Sequence, residues 1–480
     1  MRSRVPLLAG TVTILCLFPR FAFAQTDPGP RAGPANAGGP LANLSPDLLA
    51  LFNGARTTFQ EIDSVSGGVA GEVGVGLGPS FNANSCVACH AQPDAGGSSP
   101  HPTLGQFKTV NPQMAYATLD RKSGQAQAVP PFILADGPVR EARFILNPDG
   151  SNDGGVHGLY TIAGRIDAPA ACVQAQPDFV RQIANGNVVF RIPTPTFGLG
   201  LVENVSDDSL QESLAGTAQA RANRGIGGRF NTSGNDGTIT RFGWKAQNKS
   251  LLVFAGEAYN VEQGVTNDLF PNERGTKACM GNQLPEDTFG ARPDDLPGEA
   301  PERGSDTLDF AIFMRLSAPP MPTTHTASEL HGQEVFNSIG CALCHTATLT
   351  ADASSVSGQA GGDIHPYSDF AIHHMGPGLA DYVGQGSAGA DEFRSAPLWG
   401  VGQRVFFLHD GRAGPNNGGL IAAIKAHDSV DNTSPRCVFR VGKLRPDGVA
   451  CVSEAAGVTR QFLFLKKQDQ QDVLNFLRSL

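Results

Sequence analysis

Ser85-Cys86-Val87-Ala88-Cys89-His90 and Gly340-Cys341-Ala342-Leu343-Cys344-His345 carry one pattern twice, Cys-x-x-Cys-His. In this pattern two thiols on one turn reach the same edge of a porphyrin and bond its vinyl groups, while the next residue projects an imidazole to the iron. The chain is therefore expected to hold two covalently bound haem c groups. One would sit on Cys86, Cys89 and His90 and the other on Cys341, Cys344 and His345, with His90 and His345 as iron ligands. Structural zinc needs four ligands grouped together, and neither motif has a partner Cys-x-x-Cys elsewhere.

Working outward, each motif is approached by a helix. Before the second, Thr326-Ala327-Ser328-Glu329 reads as a cap and first turn, and Leu330, Val335 and Phe336 follow before Gly340. Before the first, Ser45-Pro46-Asp47 caps a segment whose Leu48, Leu49, Leu51 and Phe52 fall at helical spacing, and a Gly-rich loop over 67–78 leads on to the cysteines. Val473, Leu474, Phe476 and Leu477 predict a closing helix over 468–480. The 58 Gly and 34 Pro are scattered rather than periodic, which predicts long loops between short helices. The expected fold is mainly α, with two cytochrome c-like domains, long Gly/Pro-rich loops and a few short strands, including a pair around 188–192.

The expected organisation is a signal peptide over 1–24, a flexible linker over 25–42 and an N-terminal haem domain with a long insertion over 43–293. A linker with a connecting helix follows over 294–324, where 294–304 is dense in Pro, Glu, Asp and Gly, and a C-terminal haem domain spans 325–480. Arg2 and Arg4, the apolar run from Val5 to Phe18 and the small residues of Ala22-Phe23-Ala24 are the marks of secretion, and the periplasm is the expected address. No later run approaches the roughly 18 apolar residues that cross a bilayer, so no membrane span is expected after signal removal. A formal charge of −9 without a long basic run excludes a nucleic-acid footprint. Outside the signal and the two motifs stand Cys172, Cys279, Cys437 and Cys451. Cys437 and Cys451 flank a Pro446-Asp447-Gly448 turn and suit a disulfide-closed hairpin, after which Cys172 and Cys279 pair by elimination. The alternative is buried free thiols.

What each iron does depends on its sixth position, because a ligand there makes an electron carrier and an open site admits an oxidant. After the second motif the chain reads Phe406-Phe407-Leu408-His409-Asp410-Gly411-Arg412-Ala413, then a helix with Leu420, Ala422, Ala423 and His427. After the first it reads Phe242-Gly243-Trp244-Lys245-Ala246, then Leu251, Leu252, Ala255, Asn260 and Glu262. This weak internal repeat places His427 and Glu262 on the distal sides of the two haems. His409 and Met375 are alternative ligands for the second haem, and His157 is an alternative that would close the first.

Those strings, with Gly78-Pro79-Ser80-Phe81-Asn82, Met375-Gly376-Pro377-Gly378-Leu379-Ala380-Asp381 and Ala396-Pro397-Leu398-Trp399-Gly400, resemble the di-haem cytochrome c peroxidases. The closer likeness is to their relatives, the di-haem or thiol oxidoreductases. The resemblance implies one haem that transfers electrons and one where peroxide binds, with a glutamate above the reactive iron and a tryptophan between the haems. By motif these are Glu262 and Trp244, with Trp399 the rival bridge. The family's electron-transfer haem takes a methionine, whereas the matching helix here offers His427. The resemblance also implies hydrogen peroxide as oxidant, a periplasmic electron-exchanging protein as partner and possible interdomain calcium. A carrier without its own substrate, and an oxygenase acting on an organic molecule, are the competing functions.

Overall fold

The computed structural model describes residues 25–33, 37–63, 76–118, 127–162, 171–279, 285–289, 305–434, 437 and 442–480. The expected signal peptide and the 294–304 stretch lie outside them. Helices joined by long loops dominate, with short antiparallel strand pairs between. No described helix is long and apolar enough to cross a membrane.

The first core forms around α1 (Pro46–Gln60), α2 (Leu251–Ala258) and α3 (Asp306–Leu316). The Ser45 hydroxyl accepts the Leu48 amide and Asp47 stands in the first turn of α1, so both cap and dipole favour a start there. Phe52, Ala55 and Phe59 recur at helical spacing and bury one stripe. Phe52 stacks on Phe313 at 5.6 Å, and Phe59 meets the same ring at 4.5 Å. Burial of each such ring contributes about 1.5–3 kcal/mol, and Phe59→Ala would cost about 3–5 kcal/mol through the cavity it leaves. The helix expected to connect the two domains is α3, and it is instead an interior element of this core, packed on α1 and α2. Apolar Phe310, Ala311, Phe313 and Met314 require that burial.

Within the insertion, β1 (Glu141–Phe144) pairs antiparallel with both β2 (Val156–His157) and β3 (Val188–Arg191). The period-2 alternation of a strand turns Ala142 and Phe144 into an apolar cluster and puts Glu141 and Arg143 on the other face. Arg191 stands directly opposite Glu141 across the ladder.

In the second core, α4 (Ala327–Ile339) begins with a full capping box between Thr326 and Glu329. It ends at Gly340, whose φ of +102° a side chain would strain. α5 (Gly419–Ala426) adds Leu420 and Ala423 to the same apolar cluster, while α6 (Ala456–Phe464) packs beside α4 and α7 (Lys467–Ser479) lies along it. Gly332 is the point of closest approach, since a Cβ there would overlap the Asp472 carbonyl. Residues 25–33, expected as flexible, are held against this unit. Asp27 Oδ1 accepts from Arg478 Nε at 2.7 Å, and its Oδ2 accepts the Leu420 amide at the start of α5. The buried Arg478 guanidinium needs a counter-charge, and Asp27 supplies it. The disulfides are Cys172–Cys279 and Cys437–Cys451, as expected.

Candidate functional site

Each Cys-x-x-Cys-His forms a tight turn on the wall of a large cavity. Cys86–Cys89 is one helical turn, closed by the His90 amide donating to the Cys86 carbonyl at 3.0 Å. Cys341–Leu343 follows Gly340 as a single 3₁₀ turn, closed likewise by His345. All four cysteines are unpaired. Burial raises the thiol pKa values of Cys86, Cys89 and Cys341, to about 12 for Cys341, so these three are not the thiolates of a redox dithiol or a nucleophile. Counted out to their solvent-open mouths, the two cavities enclose about 1130 and 1440 Å³ of empty space, and their walls are mostly apolar, as a large planar cofactor requires.

Three histidines share one local arrangement. His90 Nδ1 donates to the Gly97 carbonyl at 3.0 Å, His345 Nδ1 to Tyr367 at 3.0 Å, and His427 Nδ1 to Ala423 at 2.7 Å. A carbonyl can only accept, so Nδ1 carries the proton, and this tautomer presents Nε2 to a metal. Burial lowers the pKa of His90 to about 4, and burial with the charge of His427 does the same for His345. Neutral imidazole is the ligating form. His345 and His427 line the same cavity, His427 from the C-terminal end of α5 among Leu420, Ala423 and Ile424. His409 and Met375 line it too, but the His409 ring lies flat on Phe393 at 4.3 Å. Thiol pair, carbonyl-held imidazole and cavity occur together twice, which fits a haem at each place.

The first cavity has a different opposite wall. Past α2 the chain continues as a π-helical turn, Tyr259–Gln263, a distortion common at functional sites. Glu262 on this turn reaches the cavity and accepts from Asn82 Nδ2 at 2.8 Å. Asn82 is itself fixed by the Leu159 amide, at 2.8 Å to its Oδ1. Across from Glu262, Glu141 accepts from Arg143 Nε at 2.6 Å and is hydrogen-bonded to Glu262. Burial and then the Glu141 charge push Glu262 well above the ordinary carboxylic range. Burial opposes ionisation of Glu141 too, but Arg143 and Arg191 outweigh it and hold that carboxyl low. Of the two carboxyls, Glu262 is therefore the one that keeps a proton to higher pH and Glu141 the one that ionises first.

Trp244, alone among the described residues, lines both cavities. Its Nε1 donates to the Ile192 carbonyl at 2.9 Å. Trp399 lines neither and packs in the first core beside Gly198. His157 is also away from the first cavity: its ring stacks on Phe144 at 3.7 Å and its Nε2 meets Asp153 at 3.1 Å. It therefore does not close the first site, because β2 turns it onto Phe144. Asp381, in the seam between the units, is buried against Lys245 and Arg191 at 3.0 and 2.7 Å, so its charge is already balanced without calcium. The acidic group with metal-ligand spacing among the described residues, His331, Asp469 and Asp472, lies instead on α4 and α7.

Glu141, Arg143, Arg191 and the bracing role of Asn82 escaped the sequence reading. Alternation in Glu141-Ala142-Arg143-Phe144 could have put both charges on one strand face, but nothing local tells that this face meets Glu262.

No curated protein matches the chain. Among solved structures, a hydrazine synthase of Kuenenia stuttgartiensis is 15% identical over 47% of this chain and 60% of its own, with a TM-score of 0.22. The chain thus spans less than two thirds of that relative's length. A MauG-like protein associated with microbial copper homeostasis is 16% identical over 53% of this chain and 77% of its own, with a TM-score of 0.26. The family described as "Di-haem oxidoreductase, putative peroxidase" matches residues 141–444, a stretch that begins after the first Cys-x-x-Cys-His and contains the second. That match covers well over half of the sequence, and the chain belongs to the di-haem oxidoreductase family.

Proposed function

We propose that the protein is an exported, periplasmic c-type di-haem peroxidase that accepts electrons at the C-terminal cavity and reduces hydrogen peroxide at the N-terminal one. The observation that carries this reading is the contrast of linings: a buried carboxyl pair, one member with a raised pKa, shares the first cavity with His90, whereas His427 shares the second with His345. When bound through Cys86 and Cys89 and through Cys341 and Cys344, the haems supply two iron redox centres. His345 and His427 would both serve as ligands of the second iron, which suits electron transfer, and His90 would serve as the ligand of the first, whose cavity offers an acid instead of a second imidazole.

There Glu262 is the general acid-base group. As the carboxyl of the pair that keeps its proton to higher pH, it is the one suited to protonate a departing oxygen. It accepts the peroxide proton at one oxygen by passing its own to Glu141, so the pair moves a proton without burying a new charge. Asn82 and Arg143 hold the two carboxyls in place. With two electrons and two protons taken up, hydrogen peroxide yields two waters. Trp244, between the cavities, is the proposed electron bridge, and a periplasmic redox protein the donor. Stopped-flow mixing of the reduced holoprotein with peroxide tests this. Rapid reoxidation is expected, and no reaction would leave an electron carrier or an oxygenase.

A further inference from the structure

Arg394 and Arg404 both line the second cavity, and both are buried, at 7% and 5% exposure. Among the described residues neither forms an ion pair. Arg394 Nε donates to the Gly243 carbonyl at 2.9 Å and its guanidinium lies 5.5 Å from the Phe370 ring centre, but its Nη1 is buried without a partner. Arg404 leaves both Nε and Nη2 buried and unpartnered. The two are close enough that the charge of Arg404 adds to burial in lowering the pKa of Arg394, to about 10, and burial alone does the same for Arg404. Both remain cations at neutral pH.

A buried cation without a counter-charge is strongly disfavoured, and two of like sign side by side more so. The other charged groups on this wall cannot neutralise them, since Glu454 is taken by His373 at 2.8 Å and His373 also meets Asp369 at 3.1 Å. In the first cavity, by contrast, Arg143 is matched by Glu141 and Arg191 by Asp381. The missing partner of Arg394 and Arg404 is therefore an anion inside the second cavity. It must offer enough acceptors for two planar guanidinium forks, which carboxylates do well.

We propose that Arg394 and Arg404 form the seat for the two carboxylate arms of the haem in the second cavity, keeping both arms ionised. This rests on the two-haem reading above. The thiols of Cys341 and Cys344 would hold one edge of the macrocycle and set its rotation, and the arginines would neutralise the carboxylate edge. Two cations on the wall of that cavity would also favour the reduced form of its iron, raising its potential above what two imidazoles alone would give.

The test is spectroelectrochemistry of the full-length holoprotein and of Arg394→Gln, Arg404→Gln and the matching lysine variants, with haem counted per chain. In each glutamine variant the potential of the low-spin haem is expected to fall while that of the first cavity is unmoved, and lysine should restore most of the shift. Glutamine variants that lose only the second haem, while lysine variants retain it, also support the seat. Unmoved potentials with both haems present overturn it and leave the two-haem reading intact. An unmutated protein with fewer than two haems overturns that reading instead. Infrared spectra of the unmutated protein carrying ¹³C-labelled haem carboxylates give an answer that no variant's folding can obscure. Ionised stretches at neutral pH are expected for the second haem, and a protonated-acid stretch overturns the seat.

Discussion

With His90 the first cavity presents Glu262, Glu141 and Arg143, and with His345 the second presents His427 among Leu420, Ala423 and Ile424. Both walls are built by the helix that follows an aromatic loop, and they diverge in how that helix ends. α2 loosens into a π-helical turn that brings an acid inward, where Asn82 and the Glu141–Arg143 pair make its burial tolerable. α5 stops at His427, whose Nδ1 is tied to the helix's own Ala423 carbonyl, so the imidazole needs no distant support. On the proposed reading one proximal motif serves two tasks: the cavity with a second imidazole suits a closed iron, and the cavity with an acid suits an open one with a proton at hand.

The comparison fails outright unless the two motifs load independently. Cys86→Ser with Cys89→Ser is expected to leave one covalently held haem, counted after acid-acetone extraction, with the spectrum of the second cavity unchanged; two dissociable haems would refute both sites. Next in size is His427→Ala, which should convert the second haem wholly from low-spin to five-coordinate or water-ligated, because one of its two strong ligands is gone. An unchanged spectrum would move the ligand to His409 or Met375. Folding should persist, as the residue sits at a helix end.

Glu262→Gln should keep both haems and lower peroxide turnover by about 10²- to 10⁴-fold, the usual worth of proton transfer by a positioned group. Equal rates in stopped flow would remove Glu262 from the chemistry. The smallest effect is expected from Glu141→Gln. Glu262 is raised first by burial and then by Glu141, so losing Glu141 lets Glu262 ionise at lower pH. Activity that needs its protonated form is lost as pH rises through that midpoint. The alkaline limb of the pH–rate profile should therefore move to lower pH, and at pH values above it the rate should drop about tenfold for every pH unit the limb has moved. An unmoved limb would separate the two carboxyls functionally.

Much of the frame was legible locally. The cap at Ser45, the capping box at Thr326 and Glu329, and the apolar stripes of α1 and α7 are written in consecutive residues, so they stand where the spacing put them. The pairing of Cys437 with Cys451 needed only a turn between them. α3 was misjudged because an apolar helix next to a Pro-rich stretch looks the same whether it spans a gap or fills a core.

Spacing alone was sufficient for the two Cys-x-x-Cys-His turns, since covalent attachment to one macrocycle edge demands neighbours in the chain. It also singled out Glu262, His427 and Trp244, because a repeat of loop and helix repeats its distal position. The tertiary structure placed Trp244 and not Trp399 on the walls of both cavities, turned His157 onto Phe144, and brought Glu141 to Glu262 and Arg394 within electrostatic reach of Arg404. Those choices concern which charges and rings share a buried space. In a low-dielectric interior the partner that makes burial tolerable can come from anywhere in the chain, and local spacing carries no record of it.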